Sequence, residues 1–265
     1  MAMDSEPLAP AAMPEVAPAS ASAPSTPQLI APWWHTAVLV IMLLAVSMGQ
    51  AHALGRVIER HSRISLYVST MAFEWVMVAF IWMGVRRRGI RLRELVGGKW
   101  KAPEDALLDV AIAFVYWICA LGILALVRLA LGLISLNQAE NAKKMNELSK
   151  TLGFLAPHSN LEFALFVALA VTAGFCEEII FRGYLQKQFA AASGITSIGI
   201  IAQGVLFGAA HGYQGTKLMF TIGVYGALFG ILAAWRKSLR PGMMAHFLQD
   251  FISGLLLRFL TQAPR

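Results

Sequence analysis

Charge is scarce in this chain: only 14% of its 265 residues are charged, 22 basic against 15 acidic. Soluble domains carry about 25%. With 57% hydrophobic residues and a mean hydropathy of +0.61, the chain lacks the polar surface that water requires, and a soluble fold is excluded. The two cysteines, Cys119 and Cys176, both lie inside apolar runs, which rules out a disulfide framework. Neither G-x-G-x-x-G nor a P-loop occurs, so the chain does not by itself drive transport with nucleotide. No 20–50-residue period repeats, which excludes solenoids and propellers. Residues 1–31 contain no Lys or Arg and consist mainly of Ala, Pro and Ser, so they lack the basic start of a signal peptide. They are expected to form a disordered tail.

What remains, residues 32–265, reads as one transmembrane helical domain. Apolar runs fall at about 33–55, 64–84, 105–134, 161–185, 195–212, 218–235 and 241–260. A spanning helix needs ~20 such residues. The fold class is therefore all-α, a polytopic bundle with about seven to eight spans; the eighth arises if the 30-residue third run breaks near Gly122.

The formal charge of +7 suggests no nucleic-acid partner, because the basic residues gather at the ends of apolar runs. The densest group is Arg86, Arg87, Arg88, Arg91, Arg93, Lys99 and Lys101. By the positive-inside rule this loop faces the cytoplasm, together with Lys187, Arg236, Lys237, Arg240 and the amino terminus. The opposing loops carry Arg56, Arg60, Arg63, Lys143, Lys144, Lys150 and Lys217.

An ionisable group at mid-membrane costs ~2.5–3.5 kcal/mol on insertion scales, so each needs a partner or a task. Glu74 and Arg128, deep in the second and third runs, have opposite signs and are expected to pair or to contact substrate. His35 and His52 fall near the ends of the first run, where a half-wet imidazole is ordinary, and His61 and His158 fall in loops. Three later runs carry residue types suited to hydrolysis. In G-F-C-E-E-I-I-F-R-G, adjacent Glu177 and Glu178 point ~100° apart on a helix, whereas Glu178 and Arg182 share a face at i and i+4. Arg182 neutralises Glu178 and leaves Glu177 to face a cavity as a base. In F-G-A-A-H-G, Phe207 and His211 stand one turn apart across small residues that permit close helix packing. In H-F-L-Q-D, Asp250 stands where it can orient His246. Each block also has a plain structural reading: a snorkelling pair, a hydrogen-bonded histidine, a polar helix clamp.

These blocks, in this order, resemble the signature of the CPBP family, which contains the type II CAAX prenyl endopeptidases and the bacterial Abi and bacteriocin-immunity membrane proteases. The correspondence is E-E-x-x-x-R at Glu177, Glu178 and Arg182, F-x-x-x-H at Phe207 and His211, and H-x-x-x-[N/D] at His246 and Asp250, within residues 161–254. The resemblance implies an α-helical intramembrane endopeptidase that cleaves a membrane-associated protein or peptide near the bilayer surface, with Glu177 as base. The tail and compact length suggest a bacterial cytoplasmic membrane. In the mechanism this favours, Glu177 deprotonates a water positioned by His246 or a metal, and His211 stabilises the oxyanion. CAAX endopeptidases usually carry Asn where this chain has Asp250; an Asn amide donates to an oxyanion, but an ionised Asp does not. Asp250 therefore suits orienting His246, or completing a Zn²⁺ site with His211, His246 and Glu177. No H-E-x-x-H adds an independent zinc signature. Outside the protease class, two alternatives stand: a non-catalytic scaffold or chaperone of the same fold, and a proton-coupled transporter.

Overall fold

The computed structural model describes residues 28–57, 63–132, 137–140, 142–143, 146 and 153–262. Most of the expected tail, residues 1–27, lies outside this set, as do Arg60, His61, Lys144 and Lys150 and the side chains of His52 and Arg56. The chain is α-helical: α1 (Trp33–Val57), α2 (Arg63–Arg86), α3 (Leu92–Val96), α4 (Pro103–Ala130), α5 (Asn160–Glu177), α6 (Gln186–Ser193), α7 (Thr196–Ala210), α8 (Thr216–Arg236) and α9 (Arg240–Gln262). A π-helical segment, Glu178–Leu185, joins α5 to α6 in one continuous rod.

Local chemistry sets these boundaries. Ser159 caps α5: its hydroxyl accepts from the Glu162 amide at 3.1 Å, and the Glu162 carboxylate accepts from Ser159 N at 3.3 Å. Pro103 opens α4, where it forfeits no intrahelical bond. The rod ends at Gly194, whose left-handed φ of 73° turns the chain into α7.

Among the described residues, five helices are long and apolar enough to cross a membrane: Arg63–Arg86, Pro103–Ala130, Asn160–Ser193, Thr216–Arg236 and Arg240–Leu260. The stretches Trp33–Gly49 and Thr196–Ala210 are apolar but shorter, so length alone supports five spans rather than the seven or eight expected. The third run does not break: α4 continues through Gly122 as one helix. Large apolar residues such as Leu107, Leu126, Val205 and Phe259 stand exposed on the outer faces of the bundle. Such a surface belongs in lipid, and the chain is an integral multi-pass membrane protein.

The π segment forms the axis of the bundle, with every residue from Glu178 to Leu185 buried. Around it Leu39, Met77, Ile81, Leu95, Phe207 and Leu239 form one core cluster. A second cluster joins Ala113, Leu124, Tyr225, Phe229 and Ala245 of α4, α8 and α9. The polar stretch after Arg182 is inside the protein. Gln186 donates to Gly230 O at 3.0 Å, and Gln188 accepts from Ile30 N and Ala31 N and donates to Ala31 O. Backbone partners make that burial tolerable. His35 is likewise buried rather than half-wet. It stacks on Phe80 with centroids 3.9 Å apart, and its Nε2–H donates to Phe80 O at 2.7 Å. That bond leaves Nδ1 to accept from the Tyr184 hydroxyl at 2.9 Å.

One end of the bundle collects arginines stacked on tryptophans: Arg86 on Trp82, Arg87 on Trp34, Arg236 on Trp235 and Arg240 on Trp100. Such pairs are at home at a membrane interface. At this end α3 is tied to the α8–α9 junction by Leu239 N donating to Val96 O at 2.8 Å.

Candidate active site

The site is built from the α5–π junction, the end of α7 and the first turns of α9. Where the helix changes winding, Glu178 turns fully into the core and Glu177 faces a cavity of about 430 Å³. A π segment places side chains at angles that a regular helix does not offer, and such segments frequently mark functional sites.

Beneath the cavity lies a chain of charged hydrogen bonds. Arg182 Nη1 donates to Glu178 Oε1 at 2.9 Å, both side chains being fully buried. Arg182 Nη2 donates to Gly226 O at 3.1 Å, and the guanidinium lies 4.4 Å from the Phe207 ring centroid and 4.9 Å from that of Phe229. The same Glu178 oxygen is 3.1 Å from His246 Nδ1. A carboxylate paired with arginine only accepts, so Nδ1 carries the proton and donates. The other ring nitrogen, Nε2, therefore points towards the cavity, 3.5 Å from Glu177 Oε2 and 3.8 Å from Asp250 Oδ2. These are distances of charge proximity rather than of hydrogen bonding. The group that orients the ring through a hydrogen bond is Glu178.

His211 caps the end of α7 and its Nδ1 is 2.8 Å from Phe207 O. A carbonyl only accepts, so Nδ1–H donates, and in the neutral tautomer this bond selects, Nε2 is the acceptor. An imidazolium at His211 would be needed for Nε2 to serve an oxyanion. Beyond it, in the short α7–α8 connection, burial pushes the Tyr213 phenol up to about 12, with Gln214 donating to its oxygen and the Glu177 charge nearby. It remains a phenol at any physiological pH.

Glu74, Glu177, His211, His246 and Asp250 all line the cavity, whereas Glu178 and Arg182 lie behind it. The expected Glu74–Arg128 pair does not form: both line the cavity, but Oε2 of Glu74 is buried without a hydrogen-bond partner. Arg128 sits in the last turn of α4 and Glu74 in the middle of α2, at different depths. Tyr213, Tyr225 and Gln249 also line the cavity, and sequence reasoning missed them. Tyr225 and Phe229 share a face of α8 at i and i+4, but an aromatic pair in an apolar run does not stand out from core.

Among the described residues, no three His, Cys, Asp or Glu side chains converge closely enough to hold a metal ion. The two Nε2 atoms and the carboxylates line one cavity without forming a ligand cage, so the arrangement does not fit the Zn²⁺ site that the sequence left open.

Residues 159–252 match the family model described as type II CAAX prenyl endopeptidase Rce1-like. No curated protein and no solved structure matches the chain. The matched segment runs from the cap of α5 into α9, contains all seven motif residues and covers about a third of the chain. It is a domain of that CPBP family.

Proposed function

We propose that this family domain makes the chain an intramembrane endopeptidase that hydrolyses a peptide bond of a membrane-associated protein or peptide through water activated by Glu177. The observation that carries the proposal is the placement of Glu177 Oε2 3.5 Å from His246 Nε2 on the wall of one cavity. Glu177 takes a proton from the attacking water, and the hydroxide adds to the scissile carbonyl. His246, charged between Glu178 on one nitrogen and Glu177 and Asp250 on the other, donates through Nε2–H to the developing oxyanion. Arg182 and Glu178 act as positioning residues, because they hold the imidazole from behind and in one orientation. His211, with Nδ1–H engaged by Phe207 O, presents Nε2 to hold the water. In this reading α1 and α7 complete seven crossings, and the arginine- and tryptophan-rich end faces the cytoplasm of a bacterial cell.

The test is to express wild type and Glu177→Ala in parallel in the native host and compare membrane and secreted peptides by amino- and carboxyl-terminal mass spectrometry. A cleavage product present with wild type alone is the expected result, and it names the substrate. Matching profiles at equal expression would move the assignment to a scaffold that binds partner helices without cutting them.

A further inference from the structure

Glu74 lies outside every motif and more than 80 residues upstream of the matched segment 159–252, yet it reaches the same cavity as Glu177 and Asp250. It is 4% exposed, its Oε2 is buried without a hydrogen-bond partner, and no ion pair to it exists among the described residues. Packing fixes its position. Trp75 lies against Phe175 with ring centroids 5.6 Å apart, and Met77 and Val78 share a core cluster with Cys176. Helix α2 therefore lies along the turn of α5 that ends in Glu177, with Glu74 beside the base and on a different element from His246.

A carboxylate with no cation and no donor is costly inside a membrane protein, and more so opposite two other carboxylates. As the acid, the same group carries an O–H that can be given away. Amide hydrolysis needs such a group, because a departing amine must gain a proton as its bond to carbon breaks.

We propose that Glu74 is the general acid of this site, giving its proton to the leaving nitrogen while Glu177 acts as base; the proposal rests on the protease reading above. The atoms balance. Water loses a proton to the Glu177 carboxylate and its oxygen bonds to the scissile carbon. The C–N bond then breaks, its electron pair stays on nitrogen, and nitrogen takes the Glu74 proton. Return of the proton from Glu177 to Glu74 across the shared cavity restores the starting state, with one water consumed for each acid and amine released.

Two measurements on the full-length protein in lipid nanodiscs test this. The first needs no substrate: infrared spectroscopy at neutral pH should show a carboxylic C=O band, shifted in D₂O, that Glu74→Gln removes. Identical spectra in that region for wild type and Glu74→Gln would overturn the proposal. The second uses the peptide that wild type cuts and Glu177→Ala does not, synthesised with the scissile linkage as amide and as ester. Glu74→Gln should slow amide cleavage by about 100-fold or more. Ester cleavage should fall less than about tenfold, because an alkoxide leaves with little help from an acid. Glu74→Asp should recover part of the amide rate. Equal losses on both linkages would make Glu74 a structural residue and sink the proposal. Glu177→Gln with full activity would remove the protease mechanism itself, whereas inactive Glu177→Gln beside fully active Glu74→Gln would remove only the role of Glu74.

Discussion

Glu177 and Glu178 are adjacent in sequence and opposite in physical situation. Glu178 is fully buried and shares one oxygen between Arg182 and His246. Glu177 retains 17% side-chain exposure on the cavity wall. The consequence for substitution is asymmetric. Glu178→Gln leaves the Arg182 guanidinium buried without its counter-charge, and breaking a buried pair from one side costs about 3–5 kcal/mol. Thermal unfolding in detergent should therefore show a large drop in Tm for Glu178→Gln. Glu177→Gln should unfold near the wild-type temperature while losing cleavage, since its carboxylate anchors no buried cation. Similar Tm losses in the two variants would contradict this division. The acidic pair and the i,i+4 arginine were legible in the sequence. The bond from Glu178 to His246 was not, because it joins residues 68 positions apart.

Among the elements, α7 and α8 approach each other closely through glycine. A Cβ added to Gly208 would sit 3.0 Å from Gly223 Cα, and one added to Gly204 would sit 3.0 Å from Gly223 O. The small residues around Gly208 thus serve packing, and that packing holds His211 at the end of α7 and Tyr225 on the flank of α8. Gly208→Leu forces the two helices apart and is expected to cost ~1–3 kcal/mol, the range for overpacking. It should also lower cleavage by displacing His211. Unchanged Tm and activity in Gly208→Leu would show that the contact is slack. The π segment is the element that sequence reasoning could not anticipate. A run of Ile, Phe and Tyr after two glutamates reads as ordinary helix, and the change of winding arises from packing on all sides of the rod.

At the scale of the whole molecule, the basic end and the cavity point in opposite directions. His246 lies six residues beyond Arg240 at the arginine- and tryptophan-rich end, roughly 9 Å along α9. The cavity extends from there past Leu66 and Tyr67 early in α2, Arg128 in the last turn of α4 and Leu257 late in α9. It therefore reaches towards the opposite end of the bundle. If the basic end faces the cytoplasm, as proposed above, the cavity reaches towards the extracytoplasmic side. A cysteine at Leu257, in a background where Cys119 and Cys176 are replaced, should react with a membrane-impermeant maleimide from outside intact cells. A cysteine at Arg88 should react only after lysis. The reverse pattern would invert the orientation and place the cavity on the cytoplasmic side.

The sequence by itself determined the membrane class, the helical fold and the residue types at the site. Each rests on local quantities: apolar run length, scarcity of charge and i,i+4 spacing. The tertiary structure decided what depends on which helices touch. It left Glu74 without an ion-pair partner among the described residues, in the cavity of Glu177 rather than joined to Arg128, because the two sit at different depths. It made Glu178, rather than Asp250, the hydrogen-bonded orienter of His246. It also buried Gln186, Gln188 and His35, because carbonyls and hydroxyls of distant segments satisfy them, and a sequence shows such groups as polar without showing their partners.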